Sequence, residues 1–322
     1  MSLTLDEEHR SEVATADAFT ALVNRLSRQS VEKHFDAYAD VAWDSPEFAI
    51  DPADPRFELW AGEPLGATAW YRNQSPEVRA RIGLHRWGTA MRTGWEFENL
   101  LQRGLLRFVF HLDNGRSEFR YLHHEIVEES HHSMMFQEFV NRTGLPVRGM
   151  PRILKLLAET FVVPLATLHP TLFFTFVLGG EDPIDHIQRQ RLREGGTHPL
   201  VDRITKIHVT EEARHLSFAR HYLKAEVPRL SWVQRQLVAV PAPVLLGIMA
   251  RLMIHPTRSF GRANAVPRAV LLESRRNEAG RALRRDSLAK VRRLFGELGL
   301  INPVSRTLWK AFGIWDEAPA RG

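Results

Sequence analysis

The chain has 322 residues, is 44% hydrophobic and 25% charged, and carries a net charge of +5, which fits one large globular domain with a sizeable core. It contains no cysteine, which excludes disulfides, thiolate metal sites, iron–sulfur clusters and cysteine nucleophiles, so any metal must be held by His, Asp and Glu. The excess of Lys and Arg is spread along the chain with local density at 266–293 and permits anionic partners without selecting one. The N-terminus MSLTLDEEHR lacks a basic start followed by an apolar run, so a cytoplasmic location is the expectation.

Residues 1–40 read as a packing helix, with Ala18, Leu22, Leu26 and Val31 at helical intervals. Residues 41–75 hold four prolines and three tryptophans and read as an ordered irregular wrap rather than a linker. A helix over about 76–111 follows, on which Trp87, Met91, Gly94, Glu98, Leu101, Leu105 and Phe108 form one stripe. Glu98 is therefore a carboxylate on an apolar face, whereas Glu96 falls with Arg92, Asn99 and Arg103 on the polar side. An inward carboxylate needs a partner or a metal.

The next helix covers about 116–141. Two overlapping Glu-x-x-His matches occur there, Glu128/His131 and Glu129/His132. The second shares its face with Leu122, Phe136 and Phe139 and is preferred, which leaves Glu125 and Glu128 as supporting or surface groups. Residues 142–150 read as a turn. The run Thr171 to Leu178 reads as a buried helix, too short to span a bilayer, that ends at Gly179-Gly180. Asp182 then caps a new helix with Pro183 at its first position, and Glu181 lies at the break. Helix continues over 184–194, and the helix of about 199–223 carries His208, Glu212 and His215 one turn apart on a single face.

Residues 224–322 read as further helix without a metal-ligand cluster. Their apolar stretch Leu237 to Ile254 is read as core or subunit packing. The Arg-rich helix of 266–296 is read as a solvated face, since no nucleic-acid motif accompanies it. The tail WDEAPARG reads as frayed. The whole is expected to be one all-helical domain over 1–322, with a metal-binding bundle at about 76–223. No integral membrane segment is expected.

One Glu-x-x-His alone proves little, since about one match arises by chance at this composition. Two copies in the order carboxylate, Glu-x-x-His, carboxylate, Glu-x-x-His are the pattern of ferritin-like dinuclear carboxylate bundles. Bridging carboxylates offset the repulsion between two divalent ions, and one imidazole per metal fills the coordination shell. The candidate ligands are Glu98, Glu129, His132, Glu181, Glu212 and His215, with His208 as a third imidazole.

On the double Glu-x-x-His and the additional histidine of H-x-x-x-E-x-x-H, the sequence resembles the dinuclear-iron arylamine N-oxygenases of the p-aminobenzoate N-oxygenase type. The resemblance extends over most of the chain and maps onto Glu98, Glu129, His132, Glu181, His208, Glu212 and His215. It implies two iron ions (manganese being the alternative), O2, an amine substrate oxidised through hydroxylamine towards nitroso or nitro, electrons from an external reductase, and a homodimer. A pocket near Phe97, Leu101, Phe136 or Phe176 is expected. Carbon hydroxylation or desaturation at the same site, ferritin-type metal storage, and a helical interaction protein with chance matches are the alternatives.

Overall fold

A computed structural model describes residues 5–316, and the side chains of residues 17–316. The helices are α1 (Leu5–Glu32), α2 (Ala69–Arg72), α3 (Pro76–Val109), α4 (Ser117–Thr143), α5 (Arg152–Leu157), α6 (Val163–Leu168), α7 (Pro170–Glu194) and α8 (Pro199–Glu226). A C-terminal group follows: α9 (Trp232–Ala239), α10 (Pro241–Ile254), α11 (Arg258–Ala263), α12 (Arg268–Arg276), α13 (Glu278–Ser287), α14 (Ala289–Glu297) and α15 (Pro303–Ala311). Among the described residues there is no strand. The architecture is the all-helical ferritin-like bundle. Most of the tail expected to fray, 317–322, lies outside the described residues.

Four long helices form the bundle. α3 packs along α4, α7 packs along α8, and α1 lies over α4 and α8. Their ends are set by local chemistry. Ser75 caps α3 by accepting from Val78 N–H, with Pro76 at the first position, where its missing N–H costs nothing. Gly144, at φ 63°, ends α4 in the left-handed conformation that a Cβ would strain. His198 caps α8 through Nδ1, which accepts from Leu200 N–H.

The wrap of 41–75 is tied to this frame rather than loose. The His198 ring stacks on Phe57 with centroids 4.4 Å apart. Trp43 donates from its indole to Ala37 O at 2.8 Å. The wrap then supplies Leu59, Trp60, Glu63 and Pro64 to the wall of a cavity.

Two boundaries differ from the sequence expectation: α1 ends at Glu32 instead of running to about 40, and α7 does not stop at its glycines. α7 runs unbroken from Pro170 to Glu194, through Gly179-Gly180 and Pro183. Gly180 does not end a helix. It lets Phe97 of α3 approach, since a Cβ there would overlap the phenyl ring. Pro183 sits inside the helix and removes one backbone bond. Asp182 is not a cap either: it is buried and pairs with Arg220 of α8. The close packing of α7 on its neighbours thus carries a helix whose local sequence argues for a stop.

By length and apolarity alone, Trp232–Ala263 could cross a membrane, but 56% of its most apolar window is buried, with α10 packed on α7 and α15. The Arg-rich helices depart from expectation only in part: Arg268, Arg276, Arg281 and Arg293 are exposed as on a solvated face. Arg275, Arg284 and Arg292 are half-buried rather than on a solvated face.

Candidate metal centre

The bundle brings Glu98 (α3), Glu129 and His132 (α4), Glu181 (α7), and His208, Glu212 and His215 (α8) into one buried cluster. In each of the groups Glu98–His132–His208, Glu129–Glu212–His215, Glu181–His208–Glu212 and Glu98–Glu129–Glu181, one donor atom per residue lies within 4.8 Å of the others. Of the alternative register, His131 turns away from the cluster to the segment after α1, where its Nδ1 accepts from Ala37 N–H.

Both Glu-x-x-His histidines present Nδ1 to the centre. His132 Nδ1 lies 3.0 Å from Glu129 Oε2 and 3.5 Å from Glu212 Oε1. His215 Nδ1 lies 2.9 Å from Glu129 Oε1 and 3.1 Å from Glu212 Oε1. Glu129 therefore spans the two imidazoles with its two oxygens. The third histidine is turned the other way. His208 presents Nε2, 3.6 Å from Glu98 Oε1 and 3.8 Å from Glu212 Oε1, and its Nδ1 meets Gln188 Oε1 at 2.8 Å.

The far nitrogens of the paired histidines are held across the bundle. His132 Nε2 meets Glu211 Oε2 at 2.9 Å, and His215 Nε2 meets Glu128 Oε2 at 2.8 Å. Each brace comes from the helix opposite, and each is the residue just before the motif glutamate. Arg214 joins the two, with Nη2 at 2.9 Å from Glu128 Oε1 and 3.7 Å from Glu211 Oε1. Glu211 also accepts from Phe35 N–H, so the N-terminal segment locks one brace. Such partners fix ring orientation and raise ligand basicity.

Glu128 is thus buried in the support of the site. Glu211, Arg214 and Gln188 were not singled out from the sequence. The readable signal was the doubled glutamate in both motifs, EESHH and EEARH. Gln188 carried no comparable signal.

The electrostatics are those of a cation site. Burial pushes the Glu98 and Glu181 carboxyls well above the usual range, and neighbouring carboxylates push them further. Burial opposes ionisation of Glu128, but the hydrogen bond from His215 and the charge of Arg214 outweigh it and bring it down to about 2. Burial and the nearby His132 hold His208 well below its ordinary value, so it is a neutral imidazole whose Nδ1–H donates to Gln188.

Glu98 Oε2, Glu181 Oε1 and Glu212 Oε2 are buried with no hydrogen-bond donor. Unpaired buried carboxylate oxygens are costly, and four carboxylates with three imidazoles are a donor set for hard or borderline divalent ions. The residues fit two such ions.

The cluster has a sealed side and an open side. Glu98, Glu181 and His208 floor a cavity with about 800 Å³ of space including its mouth. Glu129, His132, Glu212 and His215 do not reach it. The walls are apolar, with Trp60, Trp87, Met91, Phe97, Phe136 and Ile184 among them. Of the four pocket residues expected, Phe97 and Phe136 line it. Leu101 and Phe176 do not: Phe176 stands behind Phe97, with ring centroids 5.0 Å apart, and Leu101 is buried in the main core.

Comparison with known proteins agrees with this geometry. The family model for p-aminobenzoate N-oxygenase AurF matches residues 16–299. Uncharacterized proteins of Mycobacterium tuberculosis and Mycobacterium bovis are each 41% identical over 313 residues, covering 96% of this chain and 91% of theirs. No solved structure matches the chain. With a helical bundle, a buried Glu/His cluster able to hold metal and a family match over most of its length, the chain belongs to the p-aminobenzoate N-oxygenase AurF family, a family of oxygenases.

Proposed function

We propose that the protein is a dinuclear-iron N-oxygenase acting on an uncharged aromatic amine. The observation that carries this is the split in the centre. Glu98, Glu181 and His208 meet an apolar cavity, while the two Glu-x-x-His pairs are closed off behind them. A storage site needs a route for ions, whereas this centre faces a largely apolar, aromatic-walled space.

Glu98, Glu129, Glu181 and Glu212 with His132, His208 and His215 would hold the two ions. When bound, the irons supply O2 activation. Each oxygenation step consumes one O2, two electrons and two protons, places one oxygen atom on the amine nitrogen and releases the other as water. The electrons come from an external protein or small-molecule reductant, because the chain carries no flavin or iron–sulfur motif. The protein's own part is to exclude water, hold the ligands through Glu128, Glu211 and Gln188, and orient the amine over Glu98 and Glu181.

The charge of the substrate follows from Arg86, the cation in the cavity wall. Its Nε meets Glu63 Oε1 at 3.2 Å, and Nη2 donates to Met253 O and Ile254 O. Glu63 in turn accepts from Leu65 and Gly66 N–H. The guanidinium is neutralised and tied, which disfavours a carboxylate-bearing substrate. A homodimer and a cytoplasmic location remain part of the proposal.

The test is product analysis. Iron-loaded protein with a chemical reductant and 18O2 is given aniline and 4-aminobenzoate. The expected outcome is 18O-labelled phenylhydroxylamine or nitrosobenzene, with aniline turned over faster. Label on ring carbon would move the chemistry to carbon hydroxylation, and preference for 4-aminobenzoate would overturn the assignment of an uncharged substrate.

A further inference from the structure

A second cavity lies behind the wall of the first. On α3, Met91, Gly94 and Glu98 face the apolar cavity, while Arg92 and Glu96 face the other way. At the end of α10, Met253 and Ile254 face the apolar cavity, while Arg251 and His255 face the second. This second space is a cleft of about 2110 Å³ including its mouth, bounded by the 147–155 segment, α11 and α12. It is lined by seven arginines and one lysine against a single carboxylate, Glu96.

That carboxylate is already engaged. Glu96 pairs with Arg92 at 3.0 Å and with Lys155. Arg148, Arg152, Arg251, Arg258 and Arg262 have no ion pair among the described residues, whereas arginines elsewhere commonly do, as in Arg79–Glu58, Arg189–Asp185 and Arg281–Glu278. Arg275 reaches in from α12, half-buried; its Nη2 donates to Pro256 O at 3.4 Å, and its Nε has no acceptor. Burial, then the charges of Arg251 and Arg258, push its pKa down. Like charges collected in one concavity repel one another, and an anion seated among them offsets that repulsion.

His255 gives the independent observation. It is 3% exposed and lines the cleft. Its Nε2 faces Arg284 Nη1 at 3.5 Å, so Nε2 is the acceptor and the proton sits on Nδ1. That Nδ1 has no hydrogen-bond partner. Burial and four surrounding arginines bring its pKa down to about 3, so it stays a neutral donor. His255 thus adds a buried N–H without an acceptor beside the guanidinium groups of the cleft, a donor suited to an oxyanion.

We propose that this cleft binds a phosphate-bearing anion, held by Arg251, Arg258 and Arg275 with Nδ1–H of His255 as a neutral donor. The concavity and size favour a compact soluble ligand of nucleotide class. A lipid headgroup offers the same phosphate chemistry, and the exposed Ile153 and Leu156 next to Arg152 and Lys155 are where a bilayer would lie.

The test uses full-length, iron-loaded protein, with ADP followed by calorimetry and vesicles of equimolar phosphatidylcholine and phosphatidylglycerol followed by sedimentation. Arg251 and Arg258 are exposed, so Arg251→Gln/Arg258→Gln keeps the fold, which thermal unfolding verifies. Arg258→Gln alone repeats the test with one change, and Arg281→Gln is the control outside the cleft. The expected result is one saturable ADP site, weakened about tenfold or more in the double variant and unchanged in the control. Vesicle binding lost in the double variant, without ADP binding, assigns the site to lipid phosphate and also supports the proposal. Binding of neither probe, or equal binding by wild type and double variant, overturns it. None of these outcomes depends on amine oxidation.

Discussion

The two halves of the bundle carry the same five-residue pattern and differ in what surrounds it. α4 contributes Glu128, Glu129 and His132; α8 contributes Glu211, Glu212 and His215. In each half the second glutamate and the histidine face the centre, and the first glutamate braces the histidine opposite. Only α8 adds His208, backed by Gln188, and only α8 supplies Arg214 between the braces. The matched part is closed off together with Arg214, and His208 joins Glu98 and Glu181 at the cavity floor. The symmetric features build the closed part of the candidate metal cluster, and the asymmetric ones set which of its sides meets the cavity.

Deleting a spanning carboxylate tests this most severely. Glu129→Ala removes the group shared by both imidazoles and is expected to abolish stoichiometric metal, a loss beyond the about 10–100-fold that outer partners cost. Bound iron equal to wild type would break the symmetric reading.

Metal binding should also stabilise the fold. At about 100 times the dissociation constant, a bound ion contributes about 2.7 kcal/mol, or a Tm rise of roughly 4 °C for a chain of this size. Glu181→Gln should abolish that rise while leaving the metal-free Tm within about 2 °C, because burial already disfavours the charge on Glu181. A large fall in the metal-free protein would mean that Glu181 is chiefly structural.

The braces sharpen the comparison. Glu128→Gln and Glu211→Gln should each weaken metal binding by about 10–100-fold and by similar amounts, measured by competition with a chelator. A strongly unequal result would show that the halves are not equivalent. The smallest effect is on packing alone. Gly180→Ala, which places a methyl against Phe97, should cost about 1–3 kcal/mol in denaturant unfolding, and Phe97→Leu in the same chain should recover part of it.

The long helices were legible because their apolar stripes are long and their caps local. α3, expected at about 76–111, is Pro76–Val109, and α8, expected at about 199–223, is Pro199–Glu226. α7 was not, because Gly179, Gly180 and Pro183 are stop signals locally and the reason for them, the Phe97 ring against Gly180, sits on another helix. The same limit hid Glu211 and Arg214. Their spacing placed them on α8, but their partners Glu128 and His132 come from α4. The register at 128–132 was readable from the apolar company of Glu129 and His132, while the burial of Glu128 beside His215 was not. The basic cleft was invisible for a similar reason: Arg251, Arg258 and Arg275 come together only when α10, α11 and α12 fold against α3.

Elemental analysis of protein reconstituted with Fe(II) tests the central claim most directly. Wild type should retain about two irons per chain after gel filtration, as a centre built from two Glu-x-x-His pairs requires, and Glu129→Ala should retain almost none. Wild-type protein without stoichiometric metal, or a variant that keeps as much iron as wild type, would contradict it.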